Sequence, residues 1–162
     1  MAAAEHMLVH LDPSPLTASW PLSECRSRFD LGHHFEWHDS AEFAPSFDQP
    51  ALSRQGIGIW DCDLSDNALM WSDVVYDLFG LPRSVLLQRS TAVSLYEEGS
   101  RSAMERLRAY AIKHRRGFTL DVQIVPASGR RRWIRLMAAP ICVRSRPVRL
   151  RGLKWDVTSE YC

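Results

Sequence analysis

Residues 117–158 read GFTLDVQIVPASGRRRWIRLMAAPICVRSRPVRLRGLKWDVT. From Phe118 to Ile124 apolar and polar side chains alternate without a break. Phe118, Leu120, Val122 and Ile124 share one face; Thr119, Asp121 and Gln123 share the other. A period of two is that of a strand with one face on a core. Pro126-Ala-Ser-Gly129 supplies the backbone angles of a reversal. The next strand, Arg131 to Val143, is apolar on both parities, with Ile134, Leu136 and Ala138 on one side and Trp133, Met137 and Ile141 on the other. Arg144-Ser-Arg-Pro147 breaks it, and Val148 to Val157 makes a third strand. The stretch is an antiparallel meander, and the rest of the chain must cover it.

The 162 residues suffice for one domain with an extension. No run of about 18 apolar residues exists, so no membrane span is expected. The first residues lack the basic start and apolar block of a signal peptide. Cys25, Cys62, Cys142 and Cys162 are scattered and none forms a C-x-x-C pair. That pattern fits a reducing cytoplasm rather than a disulfide framework or a metal knuckle.

The net charge of +1 conceals an asymmetry. Residues 1–50 hold eight Asp/Glu against two Lys/Arg, whereas residues 51–162 hold eleven against eighteen. An acidic leader on a basic domain can lie against it, within the limits that salt screening sets. The leader carries Trp20, Phe29, Phe35, Trp37, Phe43 and Phe47, too many rings for a solvated tail. Residues 1–52 therefore read as a partly helical extension that docks on the domain or dimerises it. His33, His34, His38 and Asp39 offer a metal spacing, but a polar aromatic loop accounts for them more simply. No metal site is expected.

Ala51 to Gln55 reads as a short lead-in helix. Gly56 to Leu64 makes a strand with Trp60, Cys62 and Leu64 inward, and Ala68 to Trp71 returns as its hairpin partner. Ser72 is placed to cap a helix bearing Val75, Leu78 and Phe79, which Gly80 and Pro82 end. Residues 83–98 hold one or two helical turns. The longest helix runs from Ser100 or Ser102 to His114, with a capping box at Ser102-Ala-Met-Glu105, a buried stripe of Met104, Leu107 and Ala111, and Gly117 as its stop.

That order, hairpin then helices then meander, resembles a Per-Arnt-Sim (PAS) domain of the PAC-containing kind found in bacterial signalling proteins. The resemblance rests on Gly56-Ile-Gly-Ile-Trp-Asp-Cys-Asp-Leu64, Trp71 to Leu81, Phe118 to Gly129, Arg132-Trp-Ile-Arg135 and Gly152-Leu-Lys-Trp-Asp-Val-Thr158. It covers about residues 53–160. It implies an α+β fold: a five-stranded antiparallel sheet, order 2-1-5-4-3, with helices enclosing a cavity on one face. It implies a sensor or adaptor, not an enzyme, that binds a small molecule or relays signals by protein contact. The alternative is a ligand-free dimerisation module. The cavity would be lined by Trp60, Cys62, Phe79, Met104, Leu107, Ile124, Ile134, Leu136 and Lys154. The outer sheet face, Trp133, Met137, Ile141, Leu153, Trp155 and Val157, would meet the leader, a second copy or a partner such as a histidine kinase or diguanylate cyclase. Asp156 and Thr158 would carry the signal out of the sheet. Two segments depart from the pattern: Tyr96-Glu-Glu-Gly99 stands where many relatives have His-Pro-Glu-Asp, and only Ser159 to Cys162 follow Thr158.

LOV-type flavin chemistry is disfavoured, because residues 83–98 hold no Cys and the flavin-contacting amides fall on Ile124 and Ile134. Haem is disfavoured because His114 sits at a helix end. Cys62 and Cys142 read as buried small apolar residues. Lys154 stands on the cavity parity: it either binds a carboxylate or other anion on the cavity floor, or snorkels out past the strand end. Arg130, Arg131, Arg132, Arg144, Arg146, Arg149 and Arg151 form a basic cluster. They read as a solvated edge, able to pair with the acidic leader, rather than a nucleic-acid site. Asp61, Asp63 and Asp66 read as strand edge and turn, and no set of residues converges as a catalytic site.

Overall fold

The computed structural model of the protein describes residues 15–30, 35–37 and 45–161. The leader contributes α1 (Pro15–Ala18), β1 (Ser19–Pro21), a 3-10 turn (Leu22–Glu24) and α2 (Cys25–Phe29). A two-stranded ribbon of β2 (Phe35–Trp37) and β3 (Pro45–Phe47) follows, then α3 (Gln49–Arg54). The Asp48 carboxylate caps α3 by accepting from Ala51 N at 3.1 Å. The hairpin β4 (Ile57–Asp63) and β5 (Leu69–Trp71) sets Trp60 opposite Trp71.

Next come α4 (Asp73–Phe79), α5 (Arg89–Ser94) and α6 (Glu98–His114). Ser72 precedes α4 but does not cap it with its side chain. Its Oγ instead accepts from Ile59 N at 2.8 Å, which ties the helix start to β4. Gly80 ends α4 in the left-handed region, φ 67°. The capping box expected at Ser102 is not used. The helix begins earlier because the Glu97 carboxylate accepts from Gly99 N and Ser100 N, both at 3.1 Å, and so satisfies the first free donors. Its stop also differs: Arg115 takes the left-handed conformation at φ 53°, and Gly117 lies inside the following strand.

The meander is β6 (Arg116–Ile124), β7 (Arg132–Val143) and β8 (Arg146–Asp156), closing one antiparallel sheet in the order β1-β6-β7-β8-β4-β5. The five domain strands have the expected order, β5-β4-β8-β7-β6. The difference is a sixth strand. β1 pairs with the start of β6, setting Trp20 against Gly117. A Cβ on Gly117 would stand 2.2 Å from the Trp20 ring, so only glycine lets the leader's indole lie flat on the strand. Trp20 Nε1 donates to Thr119 Oγ1 at 3.1 Å, which fixes the ring in place.

Two cores result, one on each face of the sheet. The helices bury Val75, Phe79, Met104, Leu107, Phe118 and Ile134, among others, on one side. On the other, the leader's Trp20, Cys25 and Phe29 pack with Leu52 against Ile57, Met137 and Leu153. Trp20 meets Phe29 edge-on at 6.0 Å, and Phe29 meets Phe47 at 5.6 Å. Of the residues assigned to an interaction face, Met137 and Leu153 thus lie under the chain's own leader. Trp155 packs at the margin of that core, Ile141 and Val157 are buried, and Trp133 is half-buried.

Candidate functional site: a lysine among aromatic rings

Lys154 lies near the C-terminal end of β8, paired with Gly58 of β4 and Leu136 of β7. Its side chain turns toward the helices and is 6% exposed. It does not snorkel out. The ammonium nitrogen lies 5.0 Å from the Phe79 ring centre, 5.1 Å from Trp60, 5.4 Å from Trp71 and 5.7 Å from Tyr96. It donates to Tyr96 Oη at 3.1 Å. Among the described residues no carboxylate pairs with it. Ring faces attract a cation, but burial acts against the charged form more strongly, helped by the nearby Arg89 guanidinium. The pKa falls to about 7. The same burial raises that of Tyr96, which stays a neutral phenol.

Beside the amine is a cavity of about 40 Å³. Trp60, Cys62, Trp71, Tyr96, Met104 and Lys154 line it, with half-buried Arg89 and Arg108. Arg89 is bonded to Glu105, and Arg108 donates to Asn67 Oδ1 at 3.1 Å. Trp71 is buried, and its Nε1 is without a hydrogen-bond partner among the described residues. A buried N–H normally has one, so an orphaned donor in a cavity wall is a place for an acceptor. Trp71, Tyr96 and Lys154 thus bring an indole, a phenol and an amine into the lining of one small volume.

Two neighbouring arrangements bear on how the sheet is held. Asp61, expected at a strand edge, lies on interior strand β4 and is 1% exposed. It accepts from Arg149 Nε at 2.7 Å and Arg151 Nε at 3.0 Å, so part of the basic cluster serves the sheet itself. Arg132 likewise donates to the carbonyl of Leu78 at 2.7 Å, at the end of α4. At the exit from β8, Asp156 Oδ1 accepts from Thr158 N at 2.7 Å, and Thr158 Oγ1 accepts from Trp133 N at 3.0 Å. The pair fastens the departing chain to the start of β7, where Trp133 stacks on Tyr161 at 4.1 Å.

No protein-family model and no curated protein matches the sequence. Solved structures do. An RNA-binding light-oxygen-voltage receptor is 14% identical over 64% of this chain, with a TM-score of 0.57; the match spans 30% of that receptor. A sensory box histidine kinase/response regulator from Burkholderia thailandensis is 21% identical over 70% of this chain and 86% of its own, with a TM-score of 0.59. The N-terminal domain of a diguanylate cyclase with a PAS/PAC sensor, from Marinobacter aquaeolei, is 15% identical over 65% of this chain and 99% of its own, with a TM-score of 0.60. The chain has the PAS fold.

Flavin and haem, the large groups that PAS cavities are known for, do not fit the residues present. A cavity of about 40 Å³ is far below the roughly 300 Å³ or more of a pocket for a drug-sized ligand. Ile124 and Ile134 are fully buried and carry no donor or acceptor. His114 is exposed and rests on the Tyr110 ring at 4.4 Å, away from the cavity lining. His33, His34, His38 and Asp39 lie outside the described residues, and among the described residues no His/Cys/Asp/Glu cluster could hold a metal ion. Cys25 is buried, its thiol pushed up to about 12, and burial raises Cys142 as well.

Of the nine residues assigned to the PAS cavity from sequence, Trp60, Cys62, Met104, Leu136 and Lys154 line it. Phe79 faces the lysine, while Leu107, Ile124 and Ile134 are buried in the core around it. Sequence reasoning missed Trp71, Tyr96, Arg89 and Arg108. Hairpin register offered a signal for Trp71, since it faces Trp60 across two short strands. Tyr96 stood out only as a departure from the family segment. For the two arginines there was no signal, because only the packing of α5 on α6 brings them together.

Proposed function

We propose that this PAS domain is the sensory module of a signalling protein and is not itself an enzyme. A small molecule in the cavity at Lys154 changes the tension of the central strands. The change leaves through Asp156 and Thr158 to a partner surface. The observation that carries this reading is the buried Trp71 Nε1, a donor without an acceptor among the described residues, on a residue that lines one cavity with Lys154, whose amine has no carboxylate partner among them. Such a wall suits a compact ligand with accepting oxygens, such as a small carboxylate, and costs stability when nothing meets it. The occurrence of similar domains in a histidine kinase and a diguanylate cyclase supports such a protein, or a second copy of this chain, as partner.

Absorbance and native mass spectrometry of the freshly purified chain, followed by titration with short carboxylic acids, test the reading. Expected are a colourless protein, saturable binding of one small acid, and loss of that binding in Lys154→Met. A chain that binds none of them in either form supports the second reading, a ligand-free interaction module. The small size of the cavity and the bulk of Met104 and Leu136 in its wall favour that reading.

A further inference from the structure

We propose that Lys154 captures carbon dioxide as a carbamate, so that the species sensed in this cavity is the gas held covalently on the amine. The inference rests on the reading of the cavity as a site for a small acceptor-bearing ligand, and it names that ligand. Three features of the site lead to it. The first is the nucleophile. Lys154 Nζ is buried, touches one phenol oxygen and ring faces, and has no carboxylate among the described residues to hold it as an ammonium. With its pKa down to about 7, a large part of the population carries a free lone pair at neutral pH.

The second feature is size. A water occupies roughly 10–15 Å³ of such space, so about 40 Å³ admits on the order of three non-hydrogen atoms. Carbon dioxide is that small, and it is uncharged and apolar. It enters a wall of Trp60, Trp71, Tyr96 and Met104 without the desolvation that a carboxylate must undergo.

The third is what awaits the product. The amine lone pair attacks the carbon, one carbon–oxygen π pair moves onto oxygen, and one N–H proton passes to water. The sum is an amine plus carbon dioxide giving a carbamate anion plus a proton, with no change of oxidation state. The new carboxylate needs donors. Trp71, whose Nε1–H has no partner among the described residues, and Tyr96 line the same cavity and are the nearest source of such donors, and the Arg89 guanidinium favours the negative charge. An imine formed with an aldehyde would leave the indole donor unmet, so the carbamate fits the site better. Other charged or titratable groups of the lining and its neighbours are Cys62 on β4, Arg108 and Glu105 on α6. Capture exchanges a neutral or positive group for a negative one near the end of β8, between β4 and β7, a change large enough to be felt across the sheet.

The test uses the full chain equilibrated with isotope-labelled bicarbonate at mildly alkaline pH. Carbon NMR reads the carbamate, and alkylative trapping followed by peptide mass spectrometry locates it. Expected is one resonance that saturates with carbon dioxide and a trapped adduct on the peptide holding Lys154. Both are lost in Lys154→Met and Lys154→Arg. Apparent affinity is about fivefold weaker in Trp71→Phe, which keeps an aromatic ring, smaller than the indole, and removes the donor. An adduct confined to the N-terminal amine, or none, overturns the proposal. Titration of the same samples with formate, followed by backbone-amide NMR, separates the two failures. Shifts around Tyr96 and Trp71 without a carbamate sink the carbamate and leave the anion-binding cavity standing. Neither shifts nor carbamate sinks both.

Discussion

Lys154, a buried amine without a counter-ion among the described residues, makes folding depend on pH. Unfolded, Lys154 ionises near 10.5; folded, near 7. Between these values the unfolded chain binds more protons, so the group's contribution to stability rises with pH across that window and is worst below about 7. Lys154→Met removes the cost. The variant should exceed the parent by on the order of 4 kcal/mol at pH 6, with the gap closing toward pH 10. Denaturant titrations of both proteins at the two pH values decide this; a gap that does not vary with pH means the lysine keeps its charge in the fold. Asp61 poses the opposite case, an anion gripped by two cations. Asp61→Asn leaves Arg149 and Arg151 facing a neutral amide at a position 1% exposed. Breaking a fully buried pair costs about 3–5 kcal/mol, but both guanidiniums reach water, so a loss of about 2 kcal/mol is expected in the unfolding free energy. An unchanged denaturation midpoint would count against a structural role for the pair.

At the scale of elements, the joint between β1 and β6 is a contact between one indole and one bare backbone. Gly117→Ala pushes a methyl into the Trp20 ring, and relief requires β1 to lift away. The expected loss is about 2 kcal/mol, with a red shift in tryptophan fluorescence as the second core opens. The same substitution made on top of Trp20→Ala should cost much less, because nothing then remains to clash. Equal costs in the two backgrounds would show that Gly117 matters for some other reason. Gly152 plays a related part inside the sheet: a Cβ there would stand 1.7 Å from the Met137 carbonyl oxygen, and Trp60 Nε1 donates to that oxygen at 3.3 Å. Of the expected elements, α6 shows how a helix boundary escapes pattern reading. Ser102-Ala-Met-Glu105 has the composition of a capping box, yet a carboxylate five residues upstream reaches the free amides first.

For the whole molecule, the sheet is a layer with a core on each side, and the leader supplies much of one of them. Removing residues 1–48 would uncover Ile57, Met137 and Leu153 together with the flank of Trp155. A bare apolar face of that size drives association. Light scattering on the truncated chain should report a dimer or larger aggregates where the full chain is smaller. A truncation with the parent's mass and solubility would show that this face tolerates water. Should a partner use the face, it must first displace Trp20 and Phe29, and the Gly117 joint is then the place where displacement begins.

Reading the sequence alone was enough for the order of elements from residue 51 onward, the faces of the meander strands and the PAS-like architecture. Those follow from local periodicity: Phe118 to Ile124 can alternate only as a strand, and Met104, Leu107 and Ala111 share a face only on a helix. Parity also put Lys154 on the cavity side of β8, but parity says nothing of how far a flexible four-carbon stem reaches. Only the folded chain decided that its end is enclosed, because four rings from β4, β5, α4 and the segment before α6 close over it from positions as much as 94 residues away in sequence. The sixth strand was hidden for the same reason. Ser19-Trp20-Pro21 carries no pattern of its own, and becomes a strand because Gly117 leaves room on an open sheet edge. Local order is written in neighbouring residues, whereas a site is made where distant ones meet.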